Sequence, residues 1–328
     1  MSDLEVHRPR LPRYPVTPRL TGAVVVGCLM FGCLLYCGFA VAAEPDGVAR
    51  SGQGRELSRE RVREGFTDKP RWEFGVGGGY LQGFDYPGSS DPNRGGIALP
   101  FVVYRSPVVR VGGNGFRAVA IEQAGFRVDV SFGGGIASSS ESDGVRAGMA
   151  DLDFLFQIGP RAQFIVANRA TEDGGRFQFS VTAAVRGVVS TDFGSVDGQG
   201  LLAELALSVT RRRVFGSRFD TLARVSSTWA EDRLHEYFYE VEPRFATADR
   251  PAFDASGGYL GTNVFIGTAF KPVPNLNVFA GIQQGLYGGA ANEDSPLFET
   301  RRATGFALGF TWTIKKSAEL VSIVDVDA

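Results

Sequence analysis

The sequence predicts an all-β protein: a transmembrane antiparallel up-and-down β-barrel of about 10–12 strands, following a cleaved signal peptide. Three observations predict this fold. An N-terminal leader indicates export, and beyond it apolar and polar residues alternate with period two. The alternating segments run about 9–13 residues, close to the length that a tilted strand needs to cross a bilayer. In the alternating stretch that begins at Phe126, Arg127 and Asp129 lie on the polar face, opposite Val128 and Val130.

The leader is predicted to be a signal peptide over residues 1–43. Its apolar run, residues 20–39, follows several arginines and ends at Ala40-Val41-Ala42, a small-x-small cleavage pattern. The alternative is a retained signal anchor, because a run of about 20 apolar residues can span a bilayer as a helix. All the cysteines lie inside this run, so the mature chain would offer neither disulfides nor thiolate ligands. They are Cys28, Cys33 and Cys37.

Composition supports strands and turns, and it argues against nucleic-acid binding. The chain has 43 glycines and 26 phenylalanines, and its net charge of -2 comes without a basic block. A soluble periplasmic sandwich is the alternative fold, but its strands average only about 5–6 residues. A sandwich would also leave Arg186 and Arg224 in bulk water, whereas a barrel points such residues into a polar lumen. The barrel is therefore favoured, and no cofactor is predicted.

The chain divides into four predicted segments. After the leader come a flexible periplasmic arm at 44–70, the barrel at 71–314 and a C-terminal tail at 315–328. Short connections alternate with long loops, as they do in outer-membrane barrels. The short connections are 105–107 and 215–217, and the long loops are 82–95, 137–148, 190–200, 245–257 and 288–302. Twelve strands are preferred, although 108–121 and 231–245 do not parse clearly.

Few residues could carry catalytic chemistry. His235 is the one histidine beyond the leader, so a Ser–His–acid triad would have to use it. No Gly-x-Ser-x-Gly elbow accompanies it, and we interpret it as an exposed imidazole at a loop edge. The acidic pairs Asp151/Asp153 and Glu240/Glu242 are predicted to lie on lumen-facing strands and to pair with arginines. We expect no enzymatic activity and no metal site.

Large aromatic residues are predicted to form the girdles that mark both membrane surfaces. They are Trp72, Tyr80, Tyr104, Trp229, Tyr237, Tyr239, Tyr259, Tyr287 and Trp312.

Five segments, taken in order, resemble the MltA-interacting (MipA/OmpV) family of outer-membrane proteins. They are 86–91 (followed by Leu99-Pro100), 147–153, 229–238, 253–258 and 294–297. The resemblance spans residues 72–314, and the chain departs from it by continuing to Ala328. The positions that match the family motifs are Tyr86, Gly88, Ser89, Pro100, Asp151, Asp153, Trp229, Tyr237, Phe238, Gly258, Ser295 and Pro296.

The resemblance implies a non-enzymatic protein of the Gram-negative outer membrane. It implies a scaffold linking murein-cleaving and murein-synthesising enzymes, with a lytic transglycosylase and a bifunctional penicillin-binding protein as partners. Outer-membrane lipid is the other expected partner, and the protein is expected to be a monomer. A narrow pore or solute channel and a surface adhesin are the alternatives. The periplasmic turns and the arm at 44–70 are expected to contact the enzymes.

Overall fold

The computed structural model of the chain describes residues 66–105, 109–112, 115–123, 125–135, 137–138, 144–214 and 218–324. The predicted signal peptide and most of the predicted arm lie outside these residues. The elements are β1 (Phe66–Pro70), β2 (Trp72–Phe84), β3 (Pro92–Arg105), β4 (Val109–Gly112), β5 (Gly115–Gln123), β6 (Phe126–Gly135), β7 (Phe154–Ala170), β8 (Arg176–Thr191), β9 (Val196–Arg212), β10 (Phe219–Ala230), α1 (Asp232–Tyr239), a 3-10 turn (Pro243–Phe245), β11 (Gly258–Phe270), β12 (Leu276–Leu286), β13 (Arg302–Lys316) and β14 (Leu320–Val324).

Strands β2 to β13 form a closed antiparallel barrel. Each strand pairs with its neighbour in sequence, and β13 pairs back with β2, so that Phe306 lies opposite Gln82 and Lys316 opposite Glu73. Closure pairs the backbone groups that a sheet edge would leave open, which a strand in lipid requires. The predicted barrel is confirmed, with twelve strands in the part of the chain that the structure describes.

The two faces of the wall differ as the alternation predicts. On the outer face, Ile158, Phe164 and Leu308 each keep about half of their surface exposed. On the inner face, Arg127 and Asp129 are buried. The barrel therefore presents an apolar belt outside and polar side chains inside. Among the described residues, no helix is both long enough and apolar enough to cross a membrane.

The long connections all lie at one end of the barrel, which also carries the short turn between β8 and β9. One end, called here the long-loop end, carries the connections 85–91, 136–153, 231–257 and 287–301. The other, the short-turn end, carries 106–108, 124–125, 171–175, 213–218 and 271–275. One expected loop was wrong, and one segment that the sequence left unassigned is helical. Residues 190–200 form a hairpin that turns at 192–195 instead of a long loop. Residues 231–245, which do not parse as a strand, contain α1.

The ends of the chain meet beside the barrel. β1 pairs antiparallel with β14 from Phe66↔Val324 to Pro70↔Leu320, forming a separate two-stranded sheet. The prediction of a flexible arm over 44–70 is therefore wrong for residues 66–70, and part of the 315–328 tail is strand. The cause is closure: β2 and β13 are neighbours in the wall, so the segments that leave them already lie side by side.

Aromatic pairs lie near both rims of the apolar belt. Phe219 stacks on Phe270 at the short-turn end, with ring centroids 4.5 Å apart. Trp229 meets Tyr259 at the long-loop end, with ring centroids 5.9 Å apart. These pairs suit interfacial girdles. Three residues predicted for the girdles are instead buried or half-buried at the long-loop end: Tyr237, Tyr239 and Tyr287.

Candidate functional site

The long connections fold together into a cap over the long-loop end. We define the cap as α1 together with segments 85–91, 144–153, 240–257 and 287–301. α1 is amphipathic, and Leu234 and Phe238 lie one turn apart on its buried face. Asp232 in its first turn accepts a hydrogen bond from the Gly257 N–H (2.7 Å), which joins the start of the helix to the end of the same connection. The helical spacing of these apolar residues explains why 231–245 does not read as a strand.

An apolar core seals the cap against the barrel wall. From the cap come Tyr86, Leu152, Leu234, Phe238 and Tyr239, all buried. The wall contributes inward residues near the ends of β7 to β11: Leu155, Val188, Leu202, Ala230 and Leu260. Because these strands span a wide arc of the barrel, the core closes that side of the mouth with apolar side chains.

Three hydrogen bonds tie the cap segments to one another. The Tyr86 hydroxyl donates to the Leu297 carbonyl (2.7 Å), and the Tyr239 hydroxyl donates to the Pro87 carbonyl (2.6 Å). The Ser295 hydroxyl donates to the Tyr239 carbonyl (2.7 Å). Burial raises the pKa of both tyrosines above the ordinary value of 10. They therefore stay protonated and keep donating at physiological pH.

Gly88, in cap segment 85–91, has a left-handed backbone conformation. Its φ is +88°, and a side chain there would start 2.6 Å from the Phe298 ring. Its carbonyl accepts from the N–H groups of Glu299 (2.8 Å) and Thr300 (2.9 Å). Only glycine combines this backbone conformation with so close an approach. The glycine at motif position 88 is thus explained by the close contact between segments 85–91 and 287–301.

His235 is fully buried, so the interpretation as an exposed imidazole is wrong. Its Nδ1 lies 2.7 Å from Asn292 Nδ2, and its Nε2 lies 3.2 Å from the Gly258 carbonyl oxygen. Because the amide nitrogen can only donate, Nδ1 accepts and Nε2 carries the proton. Burial lowers the pKa of His235 below 6.5. Both ring nitrogens are engaged in these contacts, and neither contacts a serine hydroxyl as a hydrolase triad would require.

Two arginines clamp the 144–153 segment to the rest of the cap. Arg146 donates to the Phe238 carbonyl (2.9 Å), and its guanidinium lies 5.8 Å from the centre of the Tyr86 ring. Arg250 donates to the Val145 carbonyl (2.7 Å) and to the Phe245 carbonyl (2.9 Å). Burial lowers the pKa of Arg146, yet an arginine remains charged. These contacts hold backbone carbonyls of separate segments together.

The predicted acidic pairs do not lie on lumen-facing strands. Asp151 and Asp153 precede β7, and Glu240 and Glu242 follow α1. Burial, followed by the nearby carboxylate of Asp192, raises the pKa of Asp153. Burial together with Glu236 raises the pKa of Glu240. Among the described residues, no group of three or more His, Cys, Asp or Glu side chains could hold a metal ion.

Most of the motif positions converge on the cap. Tyr237 accepts a hydrogen bond at its hydroxyl from the Asp153 N–H (2.6 Å), joining two of the five motif segments. Ser89 is fully buried, and its hydroxyl accepts from the Asp91 N–H (3.0 Å). Pro100 is the exception, since it lies on β3 opposite Val76. Motif positions in the cap or at its border are Tyr86, Gly88, Ser89, Asp151, Asp153, Trp229, Tyr237, Phe238, Gly258, Ser295 and Pro296.

The barrel interior below the cap holds a network of charged side chains. Arg161 contacts Asp129 through two hydrogen bonds of 2.8 and 2.7 Å. Glu204 accepts from both Arg224 (2.6 Å) and Arg186 (3.3 Å). These residues come from β6, β7, β8, β9 and β10, so the network crosslinks the inner wall. Buried charges that are paired in this way give the wall a fixed arrangement.

Comparison with known proteins identifies the family. The family model described as "MltA-interacting protein MipA" matches residues 74–314. The chain belongs to the MipA family. The resemblance predicted from five sequence segments is thereby confirmed. Together with the barrel fold, membership assigns the protein to the outer membrane. No curated protein matches the chain significantly.

Solved outer-membrane barrels resemble this MipA-family chain only distantly. An outer-membrane channel from Pseudomonas putida F1 shares 10% identity over 76% of this chain and 98% of its own, with a TM-score of 0.35. OprB of Pseudomonas putida shares 9% identity over 83% and 100%, with a TM-score of 0.35. The NanC porin shares 9% identity over 74% and 100%, with a TM-score of 0.33. At these values the likeness carries no argument about function.

Proposed function

We propose that this MipA-family protein is a non-enzymatic scaffold of the outer membrane. It would hold a murein-cleaving lytic transglycosylase close to a bifunctional penicillin-binding protein that synthesises murein. The family description names an interaction with MltA, and a protein partner is therefore the first expectation. The observation that carries the proposal is the cap, because a barrel whose mouth is covered on the β7–β11 side by an apolar core is better suited to holding partners than to passing solutes.

The geometry also favours the short-turn end of the barrel as the place where the partners bind. Long loops of outer-membrane barrels face outward and short turns face the periplasm. Murein enzymes work in the periplasm, so they would meet the short-turn end. The β1–β14 sheet continues from β2 and β13 at the short-turn end. Its two strands each have an open backbone edge, to which a partner could add a strand. Residues 44–65 of the predicted arm precede this sheet in the chain. They would extend the contact with the partners.

Site-specific crosslinking in intact cells tests this proposal. A photo-crosslinking amino acid is placed at Asp173 or Val273 in the short turns, and at Thr247 or Asp249 in the cap as matched controls. We expect adducts with murein enzymes from the short-turn positions alone. Adducts from the cap positions, or none with any murein enzyme, would contradict the scaffold. Deleting residues 44–65 and finding the same adducts would remove the arm from the contact.

A narrow pore is the second candidate function, and the arginine network favours it. Arg186 and Arg224 line the lumen and share Glu204, an arrangement that could select anions. Planar-bilayer recording separates the two functions. Steady ion-selective current steps from the wild-type protein would favour the pore, whereas silence would favour the scaffold.

A further inference from the structure

The outer face of the wall changes from apolar to polar just before the long-loop end. On β13, the exposed side chains of Leu308 and Phe306 are followed on the same face by Thr304 and then Arg302. The same change occurs on four other strands: at Gln82 on β2, at Arg94 on β3, at Thr262 on β11 and at Gln284 on β12. This polar margin marks where lipid tails end and headgroups begin on this side of the barrel.

Two exposed arginines, Arg94 and Arg302, stand in the polar margin. Arg94 lies opposite Gln82, and Gln82 lies opposite Phe306, four residues from Arg302 along β13. Two strand spacings and four residues separate the two arginine Cα atoms by about 17 Å. Among the described residues, neither guanidinium has a hydrogen-bond or ion-pair partner. The arginines are therefore available to a headgroup that carries two separate anionic groups.

Hydrogen-bonding groups lie between the two arginines on the same face. The Thr304 hydroxyl donates to Gln284 Oε1 (2.6 Å), and Gln284 Nε2 donates to the Ala303 carbonyl (3.0 Å). Thr304 is exposed, and its hydroxyl oxygen can still accept a hydrogen bond. An exposed acceptor at this level suits a sugar hydroxyl.

Carboxylates that could repel an anion do not lie on this face. Glu73 is the one carboxylate in β2, β3, β11, β12 and β13. It is buried and alternates with the exposed Phe74, so it lies on the inner face. The cap carboxylates nearest the margin are engaged within the cap: Glu299 binds Ser90, Glu293 binds Arg301, Asp91 lies against Gly144, and the charge of Asp85 acts on Arg146.

An apolar groove of about 930 Å³ lies next to the polar margin on the outer face. Its sides include Tyr80 and Leu308, which are both more than a third exposed. Gly96 lies opposite Tyr80, and Ala280 lies opposite Leu308, so small residues form the floor. Gly96 is also the outward residue next to Arg94 on β3, and the groove therefore begins immediately beside that arginine. In lipid, van der Waals packing is what favours filling such a groove, and an acyl chain has the shape to do so.

We propose that this face of the barrel is a binding site for a phosphorylated glycolipid of the outer leaflet. The anionic groups of the lipid bind Arg94 and Arg302 through charge-assisted hydrogen bonds, and an acyl chain fills the groove. Long loops of outer-membrane barrels face outward, which places the polar margin in the outer leaflet. A phospholipid with a single phosphate would reach only one of the two arginines. The site does not depend on the proposed scaffold role, since its ligand is a lipid and not an enzyme.

Native mass spectrometry of the full mature protein in a non-ionic detergent tests the headgroup contacts. The protein is titrated with diphosphorylated lipid A and, separately, with phosphatidylglycerol. The test variant is R94Q/R302Q, and the matched control, R169Q/R218Q, removes two exposed arginines from the short-turn end. We expect the wild type and the control to bind lipid A alike, and the test variant to bind it at least about tenfold more weakly.

A second pair of variants tests the groove. Ala98 lines the groove, whereas Ala203 is an equally exposed alanine on the outer face of β9, away from it. A98W fills the groove and removes the packing contacts of the acyl chain, so lipid A should bind about threefold or more weakly than it binds the wild type. A203W adds the same side chain elsewhere and should bind lipid A as the wild type does.

The site would be overturned if the wild type bound no lipid A, or if R94Q/R302Q or A98W bound it as tightly as its matched control. Phosphatidylglycerol bound as tightly as lipid A would also overturn it, because one phosphate would then suffice. Heat-modifiable migration verifies that each variant is folded. If R94Q/R302Q fails to fold, the single variant R302Q replaces it under the same criteria.

Discussion

At the scale of single residues, His235 makes the stability of the cap depend on pH. Its Nδ1 must remain unprotonated to accept from Asn292, and burial lowers its pKa below the ordinary 6.5. The unfolded cap therefore takes up a proton more readily than the folded cap. Stability is fully present above pH 6.5 and falls as the pH drops from 6.5 towards the lower, folded-state pKa.

We therefore predict that acidification from pH 7.5 to about 5.5 lowers the protection factors of the amides in residues 232–260, that is, the observed exchange rates corrected for the intrinsic rate at each pH. His235→Gln should flatten this dependence. The carboxyl groups with raised pKa, Asp153 and Glu240, act in the opposite direction. Burial raises the pKa of both groups, and both are present in the wild type and in His235→Gln, so the difference between the two proteins reports His235. Equal pH dependence in the wild type and the variant would show that His235 is not the sensor.

A second residue-scale prediction concerns Gly88. Gly88→Ala forces a side chain into a left-handed conformation, which costs about 1–2 kcal/mol. It also overlaps Phe298, and overpacking adds about 1–3 kcal/mol. Gly289→Ala is the matched control, because Gly289 has a φ of +79° and no atom within 4 Å of the added carbon. Thermal unfolding in detergent should show the larger loss for Gly88→Ala; equal losses would mean that the Phe298 contact is unimportant.

At the scale of elements, α1 supplies much of the apolar core that covers the β7–β11 side of the barrel mouth. Replacing Leu234 and Phe238 by alanine removes the buried face of α1, with a cost of roughly 2–5 kcal/mol for each change. We predict that the wild type is silent in planar bilayers and that L234A/F238A conducts. The control is L308A/F306A, which makes the same changes on the exposed outer face. Silence from L234A/F238A would show that closure does not depend on α1.

The β1–β14 sheet gives a second prediction at this scale. Thr67 lies opposite Ile323, whereas Val321 is opposite Lys69. Directly opposed strand residues have Cα atoms about 4.5–5.5 Å apart, a separation that suits a disulfide. T67C/I323C should therefore crosslink on mild oxidation, and T67C/V321C should not. The sequence has no cysteine beyond Cys37, so a shift on a non-reducing gel reports the engineered pair. The reverse result would disprove the register.

The sequence predicts the wall better than it predicts the cap, for a physical reason. Strand alternation is local, because successive side chains of a strand point to opposite faces. The residues of each strand between Phe126 and Ile314 therefore indicate by themselves which face is apolar and which is polar. The cap depends on contacts between distant segments, such as Tyr86 with Leu297 and Arg250 with Val145. The motif segments indicate that these regions belong together. The i, i+4 spacing of Leu234 and Phe238 is the one local signal that could have identified α1.

At the scale of the whole molecule, the two ends of the barrel differ in charge as well as in shape. On the cap, carboxylates crowd together, and this contributes to the raised pKa values of Asp91 (near Glu299) and Asp153 (near Asp192). At the short-turn end, the strand ends and turns carry arginines and lysines, among them Arg176, Arg212 and Lys271. The scaffold requires the short-turn end to face the periplasm, so the orientation of the barrel is its premise.

The final prediction tests this orientation. Outer-membrane barrels place long loops outside the cell and short turns inside. An epitope inserted after Asp249, which is exposed in the cap, should bind antibody on intact cells. An epitope inserted after Gly174, in a short turn, should bind only after the outer membrane is permeabilised. Heat-modifiable migration of both insertion variants confirms that the barrel is folded. Labelling of the Gly174 insertion on intact cells would place the short turns outside the cell, where murein enzymes could not reach them.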